Sequence, residues 1–199
     1  MSILQRDFYD RPALAVARDL VGCRLVRSLN GKRMVGLILE TEAYQGEDDL
    51  GCHASAGRTP RTAVMYGPPG HAYVYFTYGM HWLLNAVTDS EGTPAAVLIR
   101  AIHPVQGQNL MAENRPYNAG KSGWTDGPAK LTQALAVDGD LNTVDLCSRA
   151  NGLWIENGTS VPDDQVERKP RVGLNSVPEP WRSIPWRFLV EKEMFFENS

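Results

Sequence analysis

The sequence predicts an α+β fold: a single mixed domain with a mainly antiparallel, curved β-sheet, flanking helices and a protruding β-hairpin. Three observations carry this. Asn30-Gly31 lies between two apolar runs, a strong hairpin signal because both residues accept positive φ. Three more apolar or aromatic runs, at 71–78, 82–88 and 95–101, follow one another with turn residues between them, as in a meander. Helical apolar spacing is confined to two short stretches, near 10–22 and 126–135.

The elements follow in order. Asp10-Arg11-Pro12 opens a helix, with Asp10 as its cap and proline in the first turn. Ala13, Leu14, Val16, Ala17, Leu20 and Val21 give it a broad apolar face, and Gly22 ends it. Cys23–Ser28 and Met34–Glu40 are the two strands of the Asn-Gly hairpin. From Gln45 to Gly70 the chain is polar and rich in glycine and proline, and a connection of that length is usually functional. The meander 71–101 follows, with Gly79-Met80 and Glu91-Gly92 at its turns. Residues 107–125 read as a loop. Pro128 opens a helix capped by Asp126 or Gly127, with Leu131 and Leu135 on one face. Short strands are expected at 153–156, 171–173 and 186–190. There is no internal repeat and no linker.

Composition narrows the function. The chain has 199 residues, 43% of them hydrophobic, enough for a sizeable core. It contains no apolar run of membrane length and no signal-like N-terminus. Cys23, Cys52 and Cys147 are odd in number and far apart, which suits a reducing cytoplasm rather than a disulfide framework. Cys52 adjoins His53, but no second Cys/His pair stands at zinc spacing, so no metal site is predicted. No cofactor is called for. A net charge of −3 argues against indiscriminate polyanion binding, although a local basic patch remains compatible with it.

Chemistry concentrates around Glu40-Thr-Glu-Ala-Tyr44. A buried-looking strand delivers two carboxylates and a tyrosine at its end, two residues apart and on one face. One reading is a site on a rigid support; the other is solvated glutamates at a strand end. Tyr44, His53, Tyr73, Tyr75 and Tyr78 lie around Glu42 in sequence. They are either core aromatics or the walls of a slot for a flat, electron-poor ring. A cationic ring would gain roughly 0.5–2 kcal/mol per aromatic contact. Tyr78-Gly79-Met80 places large apolar groups at a turn, where they either pack back on the body or act as a wedge between stacked bases. Asn85 lies in an apolar strand and must satisfy its amide, within the fold or on a ligand. Arg100 pairs with a structural carboxylate such as Glu40 or contacts a phosphate.

Taken in order, Glu40–Tyr44, His53, Arg58-Thr-Pro-Arg61, Tyr73-Val-Tyr75, Tyr78-Gly-Met80, Asn85, Leu98-Ile-Arg-Ala101, Gly127-Pro-Ala-Lys-Leu131 and Arg171-Val-Gly173 make a specific set. Together with the Asp10-Arg-Pro12 helix, the chain resembles the alkyladenine (3-methyladenine) DNA glycosylase family from about Phe8 to Phe188. The resemblance implies a base-excision-repair enzyme that flips an alkylated or deaminated purine out of double-stranded DNA. It makes Glu42 the residue that activates water, with Arg100 beside it. It assigns Tyr44, His53, Thr59, Tyr75 and Asn85 to the base pocket, with Asn85 excluding guanine by its exocyclic amine. Tyr78 and Met80 are the intercalating pair, and Arg58, Arg61, Lys121 and Lys130 face the DNA backbone. No amine is placed for Schiff-base chemistry, so the expected enzyme is monofunctional and leaves an abasic site. One slot and one wedge suffice in a monomer, acting in the cytoplasm near the nucleoid of a bacterium or in a nucleus. Arg58, Arg61, Arg100, Lys121 and Lys130 are expected to form the local basic patch. The alternatives are a nucleic-acid-binding module without chemistry, and a nucleoside or glycoside hydrolase using Glu40 and Glu42 as an acid/base pair.

Overall fold

In the computed structural model, which describes residues 1–116 and 118–195, the first hairpin forms as its sequence requires. A short helix, Arg6–Tyr9 (α1), and a second, Ala13–Leu20 (α2), precede it. Asn30 and Gly31 take φ of 52° and 74° and fold Arg24–Leu29 (β1) back on Lys32–Gln45 (β2), with Leu29 opposite Lys32. The meander follows as Ala72–Thr77 (β3), His81–Val87 (β4) and Ala95–Gln106 (β5). Gln108–Asn114 (α3) and Pro128–Ala134 (α4) come next. Leu153–Glu156 (β6), Glu167–Lys169 (β7) and Arg187–Leu189 (β8) complete the elements used below.

The sheet is antiparallel and curled, in the order β3-β4-β5-β2-β1-β6, and β8 joins β2 and carries β7. The fold is α+β. The strand β2 is its axis. One edge pairs with β5 along most of its length. The other edge pairs first with β1, from 32 to 37, and then with β8, from Glu40 to Glu42. The β2–β5 register slips between Ile38 and Glu40 and again between Glu40 and Thr41. Such bulges bend a strand and re-aim its side chains. Beyond them the alternation is clean. Thr41 and Ala43 face the core under α2, where the Thr41 hydroxyl donates to the Ala17 carbonyl at 2.7 Å. Glu40, Glu42 and Tyr44 face the other way.

Several expectations need correction. Asp10 does not cap α2: Pro12 stands at the cap position, without a side-chain bond. The 107–125 stretch is not all loop, since α3 occupies 108–114 (Tyr117 lies outside the described residues). Of α3's side chains only Met111 is buried, so the helix shows no apolar stripe in sequence. Arg171–Gly173 is not a strand but a turn-like strap, because it spends its backbone on the site below rather than on a ladder. The strand β2 runs on five residues past Glu40, drawn out by partners on both edges.

Candidate active site

Glu42 is wholly buried, at 0% exposure. Its carboxylate is held from three sides. The Val172 N–H donates to Oε1 at 2.7 Å, the Tyr44 hydroxyl donates to Oε2 at 2.8 Å, and the Arg100 Nε stands 3.3 Å from Oε1. Burial raises the Glu42 pKa above its ordinary value, while Arg100, the Val172 N–H and Tyr44 pull it back towards the charged form. The Tyr44 phenol is itself pushed well up, by burial first and then by Glu42, so it stays neutral and donates.

Glu40 shares the face of Glu42 but not its setting. It accepts from Arg100 at 3.0 Å and from Arg187 at 2.8 Å. Arg187 comes from β8, whose register places it opposite Glu42. With one oxygen engaged by two guanidiniums and the group set apart from the slot lining, Glu40 is committed to the fold, which argues against an acid/base pair.

In front of Tyr44, Arg100 and Val172 opens a slot of about 330 Å³. That lies at the small end of the range for small-ligand pockets, roughly 300–1,000 Å³. His53, Tyr73, Tyr75, Asn85 and Leu98 line it, with Tyr78 at the same cavity. His53 stands edge-on to Tyr75, with centroids 4.7 Å apart and planes at 78°, and its Nδ1 is 2.8 Å from the Tyr73 hydroxyl. Burial first, and Arg61 second, lower the His53 pKa to about 4, so the ring is neutral at neutral pH. Asn85 donates from Nδ2 to the Tyr73 carbonyl at 3.0 Å. One amide hydrogen is thus committed to the backbone, and the side chain enters the wall in a fixed orientation.

At the β3–β4 turn Tyr78 adopts φ +52° and Gly79 +67°. Tyr78 is 84% exposed, and Met80 is exposed beside it. A bulky residue with positive φ is an outlier that concentrates at functional positions.

The structure brings Glu42, Tyr44, His53, Tyr75, Tyr78, Asn85 and Arg100 together. Thr59 stands outside the slot lining, because its hydroxyl and N–H are engaged by Thr62 within the 57–62 loop. The five-cation patch does not assemble as expected. Arg100 is spent on Glu40 and Glu42, and Lys130 on Asp126 and the Gly123 carbonyl. Lys121 lines a separate cavity with Trp124 and Lys192. Arg58 and Arg61 are exposed near the slot, stacked over Tyr66 and Tyr75 at 5.7 and 4.8 Å.

Tyr73, one of the aromatics read around Glu42 in sequence, lines the slot. Sequence reasoning missed Val172 as donor and the wholly buried Asp49–Arg171 ion pair behind Tyr44. Both arise from contacts more than 120 residues apart, which no local pattern shows. Among the described residues there is no cluster of three His, Cys, Asp or Glu side chains that could hold a metal ion, and no helix is long and apolar enough to cross a membrane.

Comparison with known proteins agrees with this geometry. The family profile described as methylpurine-DNA glycosylase (MPG) matches residues 7–194. Three relatives each carry the name "Putative 3-methyladenine DNA glycosylase". The protein of Methanocella arvoryzae is 47% identical over 94% of this chain and 92% of its own. That of Carboxydothermus hydrogenoformans is 45% identical over 97% of both. That of Myxococcus xanthus is 47% identical over 96% of this chain and 91% of its own. Such coverage defines the class, a DNA glycosylase that hydrolyses N-glycosyl bonds and is monofunctional. The chain belongs to the methylpurine-DNA glycosylase family.

Proposed function

We propose that this chain excises 3-methyladenine and related alkylated purines from double-stranded DNA, in base excision repair, by water activated at Glu42. The observation that carries the reading is a wholly buried carboxylate, held by two hydrogen bonds and the Arg100 charge, behind the Tyr44, Arg100 and Val172 wall of an aromatic slot. A base inside a duplex must leave the stack before its sugar can be attacked, at a cost of a few kcal/mol. Stacking in the slot, about 1–3 kcal/mol per base in single-strand binders, offsets much of this. Tyr78 fills the gap left behind, with Met80 beside it.

Alkylation at a ring nitrogen makes the purine a cation and a good leaving group. The protein then has to place a water and stabilise positive charge growing on the sugar. A carboxylate offers about four acceptor positions. Tyr44 and the Val172 N–H use two, Arg100 lies against Oε1 as a charge, and a remaining position takes the water. His53, neutral at neutral pH, is no acid for an uncharged leaving base. Cationic lesions are therefore the preferred substrates, and Asn85 crowds the exocyclic amine of guanine. One slot and one wedge make the acting unit a monomer.

The test is base release from a duplex carrying one 3-methyladenine, with binding measured in parallel. Glu42→Gln is expected to lose release by roughly 10²–10⁴-fold while still binding the duplex. Equal rates for wild type and Glu42→Gln, or cleavage of free nucleosides as fast as of DNA, would overturn the proposal.

A further inference from the structure

The strap 170–174 gives Glu42 one of its two hydrogen-bond donors, yet it belongs to no ladder. What holds it is Arg171. Its guanidinium is wholly buried and pairs with both oxygens of Asp49, which is equally buried. One Nη also donates to the Ala43 carbonyl at 3.0 Å, and the other to the Trp181 carbonyl at 3.3 Å. The guanidinium stacks between Tyr44, 4.7 Å away, and Trp186, 5.1 Å away. Asp49 in turn accepts from the backbone N–H of Gln45 and of Gly51, and so folds the turn that leaves Tyr44 and leads to Cys52 and His53. Gly51 has to be glycine: a Cβ there would lie 2.7 Å from Arg171 Nη2 and 2.8 Å from Leu174.

One guanidinium therefore fastens three things at once: the Ala43–Tyr44 backbone and ring, the turn feeding His53, and the strap that carries Val172. Both hydrogen-bond donors on Glu42, the Tyr44 hydroxyl and the Val172 N–H, rest directly on it. We propose that Arg171, paired with Asp49, is a positioning residue for Glu42, holding Tyr44 and Val172 in place so that the carboxylate stays oriented for the attacking water. This rests on the glycosylase reading above.

A purely structural role predicts less active protein and nothing more. A positioning role predicts a changed pH dependence. With its N–H donor loosened, Glu42 holds its proton to higher pH, because that bond favours the charged form. The measurement is single-turnover base release from the 3-methyladenine duplex across pH, for wild type and Arg171→Lys. Lysine keeps the charge but cannot make the fork. Arg171→Lys is expected to keep binding the duplex through the hairpin tip, and binding is measured alongside so that release is compared at saturation. Its release is expected to fall about 10-fold or more at low pH, with the acid limb moved up by roughly 0.5–1 pH unit and the rate recovering above it. If the lysine variant does not fold, Gly51→Ala, which displaces the guanidinium without removing a charge, is read for the same shift. A uniform loss of rate with the limb at the wild-type pH would overturn the proposal. No release by wild type would strike the glycosylase reading instead.

Discussion

Glu42 and Tyr78 are opposite solutions to the same task of meeting one nucleotide. Glu42 has no exposure, two hydrogen bonds and an arginine on its carboxylate, and a ladder on each edge of its strand. Tyr78 is 84% exposed, at the tip of a two-stranded hairpin and in a backbone region that costs a non-glycine residue about 1–2 kcal/mol. The seat of the acid is over-determined by the fold. The tip is left unsatisfied, with its apolar surface and its strained backbone both held for the duplex. Chemistry needs a group whose surroundings are already arranged. Recognition that opens a stack needs one whose best partner is the substrate.

The largest effect that would sharpen this contrast is expected at the tip. Tyr78→Gly removes the wedge and relaxes the backbone. Folding stability should change by less than about 1 kcal/mol, while affinity for a lesion-bearing duplex falls by about 10–100-fold, the loss of one stacked group. Equilibrium binding and thermal melting measure the two separately. A variant that binds as wild type would mean that the tip is ornament.

His53 stands between the two regions and gives a pH signature. Its folded-state pKa, about 4, lies below the unfolded 6.5. The folded state thus prefers the neutral ring, and its advantage is complete above pH 6.5. It is lost as pH falls through the window from 6.5 to about 4, because the unfolded chain takes up the proton first. The full difference corresponds to about 3 kcal/mol, and the ring's partial exposure reduces that to about 1–2 kcal/mol. Melting of His53→Gln against wild type should converge at low pH and diverge at neutral pH. Parallel curves would place the ring in water.

The smallest effect concerns the cations. Five free phosphate contacts would give a log–log salt slope of about −4.5, but with Arg100 and Lys130 spent internally and Lys121 apart, about −2 is expected from Arg58 and Arg61. A steep slope would show that Lys130 leaves Asp126 for DNA.

Much of the frame was legible because its signals are local. Asn30-Gly31 fixes a hairpin, and the meander from 71 to 101 is written in alternating aromatics and turn residues. The Glu42–Tyr44 pair was legible as a same-face acid and phenol. What was not legible is what crosses the chain. The Lys130–Asp126 pair turns a presumed phosphate contact inward, although its four-residue spacing could have warned of it. Arg171 stands in the Arg171-Val-Gly173 motif, but nothing local gives it a role until Asp49, 122 positions away, is placed against it. Thr59 was assigned to the pocket by the family resemblance, while its hydroxyl lies against that of Thr62, three residues on.

The strap that donates to Glu42 lies 130 residues further along the chain. On a ribosome adding about 5–20 residues per second, roughly ten seconds separate the synthesis of the acid from that of its donor. For most of that interval, once Tyr78 has been made, the growing chain holds Glu42 and the tip but lacks the strap and β8. The catalytic group is thus assembled last although it is encoded early, and a chain released short of Val172 would display the wedge without a finished acid behind it.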